Sequence, residues 1–184
     1  MNTKTLLIVQ TGSHLYGLAN KFSDTDLYTI YTFNHKNYRP KRQVNQTISE
    51  QEDHVTISLD KFEEYLAKGV PQTCEVLFSK SKYWLEYDNQ WLRVRNELHK
   101  VVVGNIEKVL DTYRRTVINF FATDDYKKNC HGFRLLLNAL ELKETGMFDP
   151  ALTGKQIEAI RKSAQLPWPE REDLFKDQLW SVFQ

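Results

Sequence analysis

Cysteine is almost absent from this chain: Cys74 and Cys130 are the only two in 184 residues, far apart and without a Cys-x-x-Cys or Cys/His ligand spacing. That excludes a disulfide framework and structural zinc, and points to a reducing, cytosolic setting. Glycine and proline are scarce as well, at 7 and 5. With no repeat period and no compositionally simple stretch, the chain is expected to fold nearly throughout. Neither sign of charge is in excess, since 25 Lys plus Arg face 24 Asp plus Glu, so any basic surface is local. Long apolar runs are missing too. After Lys4 the opening residues offer only Leu6-Leu7-Ile8-Val9, too brief for a signal-peptide core or a membrane span, and no membrane partner is expected.

What is present divides into two halves. Thr5 to Thr11 and Asp26 to Phe33 are short apolar runs suited to buried strands, with one or two helical turns expected over His14 to Asn20. Asn34 to Gln46 reads as a polar loop. Val55, Ile57 and Leu59 alternate with His54, Thr56 and Ser58, the period of a half-buried strand, after which Ser58 or Asp60 caps a helix over Lys61 to Lys68 that Gly69 and Pro71 end. From Trp91 onward apolar residues recur at helical spacing. A long helix is expected from Tyr126 to Thr145, stopped by Gly146, and two more over Thr153 to Ser163 and Glu170 to Val182, separated by Pro167 and Pro169. The fold class expected is α+β: a small mixed sheet with flanking helices over residues 1–87, then a helical part over 88–184 that completes a cleft.

Chemistry concentrates at the start. Asp24 and Asp26 flank Thr25 at the head of a predicted strand, and strand side chains two apart share a face, so both carboxylates converge on one point. Adjacent carboxylates repel. A hard divalent cation removes that repulsion: Mg²⁺, with Mn²⁺ as the alternative, takes one or two protein carboxylates and completes its shell with water and phosphate oxygens. Upstream, Gly12-Ser13 lies where a strand gives way to a helix, with a hydroxyl and free backbone N–H groups available to nucleotide phosphates.

Together, Gly12-Ser13-His14-Leu15-Tyr16-Gly17 and Ser23-Asp24-Thr25-Asp26-Leu27 resemble the signature of the polymerase-β nucleotidyltransferase superfamily: Gly-Ser, about ten residues, then Asp-x-Asp between apolar neighbours. Tyr16-Gly17 and Ser23 resemble its smaller members, the minimal nucleotidyltransferases of toxin–antitoxin pairs and the RNA-ligase-associated group. Asp53 to Phe62, Gly69-Val70-Pro71 and Glu75-Val76-Leu77 look like the second block of the RNA-ligase-associated group, with Val70 in place of its Asn. Lys127 to Leu136 looks like that group's "Lys … His … Arg-Leu-Leu" helix.

The resemblance implies transfer of a nucleoside monophosphate from a nucleoside triphosphate to an acceptor hydroxyl, with release of pyrophosphate. It also implies a third metal-site carboxylate on a later strand. Asp53 is the candidate and Glu52 its nearest rival, although the strand positions facing away from Val55 and Ile57 are His54, Thr56 and Ser58, none of them acidic. Asp24, Asp26 and Asp53 are thus the expected catalytic and metal-binding set. The association with RNA ligation makes an RNA or tRNA end the favoured acceptor and a protein hydroxyl the second. The alternative is a non-catalytic nucleotide-binding or antitoxin-like partner protein that keeps the fold, and the position of Asp53 separates the two.

Two further features carry charge. Lys127, His131, Arg134, Asn138 and Glu141 are spaced by four, three, four and three, one stripe of a helix. It reads either as a solvated face or as a cationic wall on which Lys128, His131 and Arg134 hold a triphosphate beside Gly12 and Ser13. Spacing alone does not rank Lys127 against Lys128. The segment with Lys36, Tyr38, Arg39, Lys41 and Arg42 reads as solvated surface or as a small nucleic-acid contact.

Overall fold

The computed structural model describes residues 3–33, 43–49 and 51–183. Five strands, β1 (Thr3–Thr11), β2 (Thr25–Phe33), β3 (Val44–Ile48), β4 (Glu52–Ser58) and β5 (Trp84–Tyr87), form one sheet in the order β3-β4-β2-β1-β5. Only the β2–β4 pair is parallel; the others are antiparallel. The helices are α1 (Gly12–Tyr16), α2 (Leu59–Ala67), α3 (Pro71–Phe78), α4 (Asn89–Gly104), α5 (Ile106–Phe121), α6 (Tyr126–Thr145), α7 (Gly154–Ala164) and α8 (Trp168–Phe183). The architecture is α+β, as its sequence pattern predicts, and every described strand precedes residue 88.

One face of the sheet meets the helices. Val9 pairs with Tyr28 and Leu7 with Ile30, while Tyr28 and Ile30 pair with Val55 and Ile57 across β4, so these side chains line up on one side. A register shift between Thr5 and Leu7 lets Leu6 and Leu7 both be fully buried. Tyr28 meets Phe62 of α2 edge-on at 6.0 Å between ring centroids, and Phe62 meets Trp91 of α4 at 6.2 Å. Burying each of these rings stabilises the fold by roughly 1.5–3 kcal/mol. The same apolar cluster continues through Val109, Tyr113 and Leu136 to Ala164, so strands and C-terminal helices share one core.

Local signals account for most boundaries. Ser58 caps α2 by accepting from Lys61 N–H, and Asp125 caps α6 by accepting from Lys128 N–H. The residue after α6, Gly146, is left-handed at φ 76°, which stops the helix. Two expectations need correction. The end of the presumed polar loop is edge strand β3, which pairs with β4 despite its mostly exposed side chains. Pro71 does not simply terminate α2; it occupies the first turn of buried α3, where its missing N–H costs nothing. Among the described residues, no helix is long and apolar enough to cross a membrane.

Candidate active site

The turn after β1 and the head of β2 are built against each other. Thr11 is the Cα partner of Asp26, and Gly12 follows with φ 64°. A Cβ at Gly12 would lie 1.6 Å from Asp26 Oδ2, so only glycine lets this turn close over the carboxylate. Thr11 Oγ1 and Ser13 Oγ are buried there with no hydrogen-bond partner among the described residues. Gly12, Ser13, Asp24 and Asp26 line one wall of a cleft of ≈ 270 Å³, and Lys127, His131 and Arg134 of α6 line the other.

Asp53 stands beside Asp26 as its partner in the parallel β2–β4 ladder, on the helix-covered face with Val55 and Ile57. That His54, Thr56 and Ser58, which face away from Val55 and Ile57, are not acidic therefore does not count against Asp53. The site forms on the core face, at the strand ends, where the apolar cover gives way to the cleft. Glu52 pairs instead with Thr25 and reaches towards His54, 3.7 Å away. Gln46 of β3 donates to both Asp53 oxygens at 2.9 Å, fixing that carboxylate.

Electrostatics follow from this crowding. Burial holds the Asp26 carboxyl above the usual carboxylate range, and the charges of Asp24 and Asp53 add to the rise. Among the described residues no group of three His, Cys, Asp or Glu side chains encloses a metal position. A hard divalent cation that keeps several water and phosphate ligands needs no such cage. Two repelling carboxylates, unpartnered hydroxyls and a phosphate-sized cleft fit it.

The middle of the α6 stripe faces inward: Arg134 and Asn138 are buried and His131 half-buried, while Lys127 and Glu141 at its ends are exposed. Arg134 is 4% exposed, ion-paired through Nη1 to buried Glu75 of α3, and its guanidinium lies 3.6 Å from the Tyr16 ring centroid. Tyr16 O–H donates to the same Glu75 carboxylate. Arg134 is thus held in the cleft wall by Glu75 and Tyr16. Burial, with help from the Arg134 and Lys127 charges, pushes His131 down to about 4, so it offers a neutral imidazole and not the positive charge expected of it. Lys127 and Lys128 are both exposed, but only Lys127 lines the cleft; Lys128 lines neither it nor the cavity beside it. Lys127 is two turns from Arg134 and shares its face, and the packing of α6 turns that face towards the cleft. The basic segment Lys36 to Arg42 lies outside the described residues.

The family model described as "RNA repair pathway DNA polymerase beta family", RlaP, matches residues 1–178. The chain belongs to that family. RlaP membership makes it a nucleotidyltransferase of the polymerase-β type, in agreement with the Gly-Ser turn and acidic pair. No curated protein matches it in sequence. Among solved structures, a nucleotidyltransferase-like protein from Exiguobacterium sibiricum 255-15 is similar at 10% identity and a TM-score of 0.38, over 98% of this chain and 69% of that one. So loose a likeness carries nothing about the site. In this RlaP chain the residues that sequence reading left without a structural role are Tyr16 and Glu75. Both stand in quoted motifs, but only their contact across the fold reveals that they anchor Arg134.

Proposed function

We propose that this protein transfers a nucleoside monophosphate from a nucleoside triphosphate to an acceptor hydroxyl, with Mg²⁺, and that the acceptor is an RNA or tRNA end. The observation that carries the catalytic reading is the pairing of Asp53 with Asp26, because it brings a third carboxylate to the acidic pair. The non-catalytic reading would gain if Asp53 lay far from the pair, and the register speaks against that. A protein hydroxyl stays as the second acceptor.

Asp24 and Asp26 would hold the metal, which when bound neutralises charge on the phosphates and on the carboxylates that face them. Gly12 admits phosphate close to the backbone, Ser13 Oγ donates to it, and Lys127 supplies a cation from the α6 wall. His131 adds a neutral hydrogen bond. Glu75 holds Arg134 and Tyr16 in place beneath them. The acceptor oxygen attacks the α-phosphorus, the bond to the β-phosphate bridging oxygen breaks, and pyrophosphate leaves with that electron pair. The hydroxyl proton passes to Asp53, which Gln46 orients.

Incubation with each labelled nucleoside triphosphate, Mg²⁺ and either total RNA or total protein tests the proposal, alongside Asp24→Asn/Asp26→Asn and a chelator control. Label on RNA that depends on both the carboxylates and the metal is expected. Label on protein alone moves the acceptor to the second choice, and equal labelling by the variant overturns the mechanism.

A further inference from the structure

The phosphate cleft adjoins a second cavity of ≈ 330 Å³, with which it shares the lining residues Ser13, Asp24, Lys127 and His131. Away from the shared residues the chemistry changes. Phe22, from the turn before β2, and Tyr126, at the start of α6, bring aromatic surface from two separate elements, and Arg161 of α7 adds a cation. Phe22 is 84% exposed and Tyr126 44%. Local hydrogen bonds fix the turn that carries Phe22, from Phe22 N–H to Asn20 Oδ1 and from Asn20 N–H to Ser23 Oγ, and Lys21 Nζ lies over its ring, 4.8 Å from the centroid. Neither Lys127 nor Arg161 forms an ion pair among the described residues.

We propose that this second cavity holds the nucleobase and ribose of the donor nucleotide while its phosphates occupy the adjoining cleft, an inference that rests on the nucleotidyl-transfer reading of that cleft. Exposed aromatic faces stack on any base, and unpaired cations beside them suit a nucleotide. Either cavity alone is near or below the small end of small-molecule sites, roughly 300–1,000 Å³; side by side at Ser13 and Asp24, the pair matches one nucleotide. The position selects donor over acceptor. The cavity opens on the Asp24 side, and Asp53, which would receive the acceptor's proton, lines neither compartment.

Binding without acceptor tests this, with a nucleoside triphosphate and inorganic tripolyphosphate, each with Mg²⁺, as the two probes. Phe22→Ala and Tyr126→Ala are each expected to weaken nucleotide binding about tenfold, the scale of one lost base stack, and to leave tripolyphosphate binding unchanged. Phe22 sits in an exposed turn, so its variant reports on binding with the core intact. Equal weakening for both probes, or none for the nucleotide, overturns the inference. So does an effect seen only as a higher KM for the RNA acceptor. A wild type that binds neither probe sinks the reading of the cleft itself, and this inference with it; a wild type that binds both while the variants match it sinks the inference alone.

Discussion

Asp26 and Asp53 are side-by-side partners in the parallel β2–β4 ladder, although a whole strand and its connections separate them in the chain. Their side chains emerge on the same face, beside the cleft. Asp53→Asn keeps the shape and removes the proton acceptor proposed above. Turnover is expected to fall by about 10²–10⁴, the usual scale of general-base catalysis, with nucleotide binding close to wild type. Single-turnover rates with parallel titrations check it; unchanged turnover removes Asp53 from the mechanism.

Gly12→Ala sets a Cβ against the Asp26 carboxylate at a left-handed backbone position. Either the turn or Asp26 must move, so labelling activity is expected to disappear. The strain costs on the order of 1–3 kcal/mol, which leaves a folded protein for thermal melting to register. A fully active variant would show that this contact does not shape the site.

His131 supplies a pH dependence. Its imidazole is held at about 4 against an ordinary 6.5, so between those values the unfolded chain binds more protons than the folded one. Stability is then fully present above the unfolded value and is lost as pH falls towards 4, by about 3 kcal/mol at full titration. Asp26 acts with the opposite sign, since its raised carboxyl takes up a proton earlier in the folded state. Urea denaturation of wild type and His131→Gln across pH 7 to about 4 cancels the Asp26 contribution; the variant is expected to lose less stability on acidification.

Glu75 and Arg134 form a buried pair on which Tyr16 rests. Removing one partner strands the other charge in the core, so Glu75→Leu or Arg134→Met alone is expected to cost about 3–5 kcal/mol. The double replacement should cost less than the sum of the two. A double-mutant cycle by chemical denaturation measures this, and strict additivity would show the pair to be uncoupled.

Much of this architecture is legible in sequence. Helix α6 runs from Tyr126 to Thr145 with Gly146 after it, as expected, because periodicity, a cap and a stop signal are local. Strand β3 escapes such reading because Asn45, Gln46 and Thr47 are exposed at a sheet edge, and no buried face imposes alternation on them. Helix α3 escapes because it is buried from Thr73 to Phe78, which erases the one-sided pattern that marks a surface helix.

By itself, then, the order of residues determined the Gly12-Ser13 turn, the Asp24-x-Asp26 head of β2 and the α6 stripe, since each depends on spacing within a few turns of chain. Tertiary structure decided the rest. The β2–β4 register set Asp53, and not Glu52, beside Asp26, and the direction in which α6 packs set Lys127, and not Lys128, against the cleft. Burial made Arg134 a structural wall and pushed His131 down to about 4. Register and burial arise from contacts between residues remote in sequence, and no local pattern encodes which partners those contacts will join.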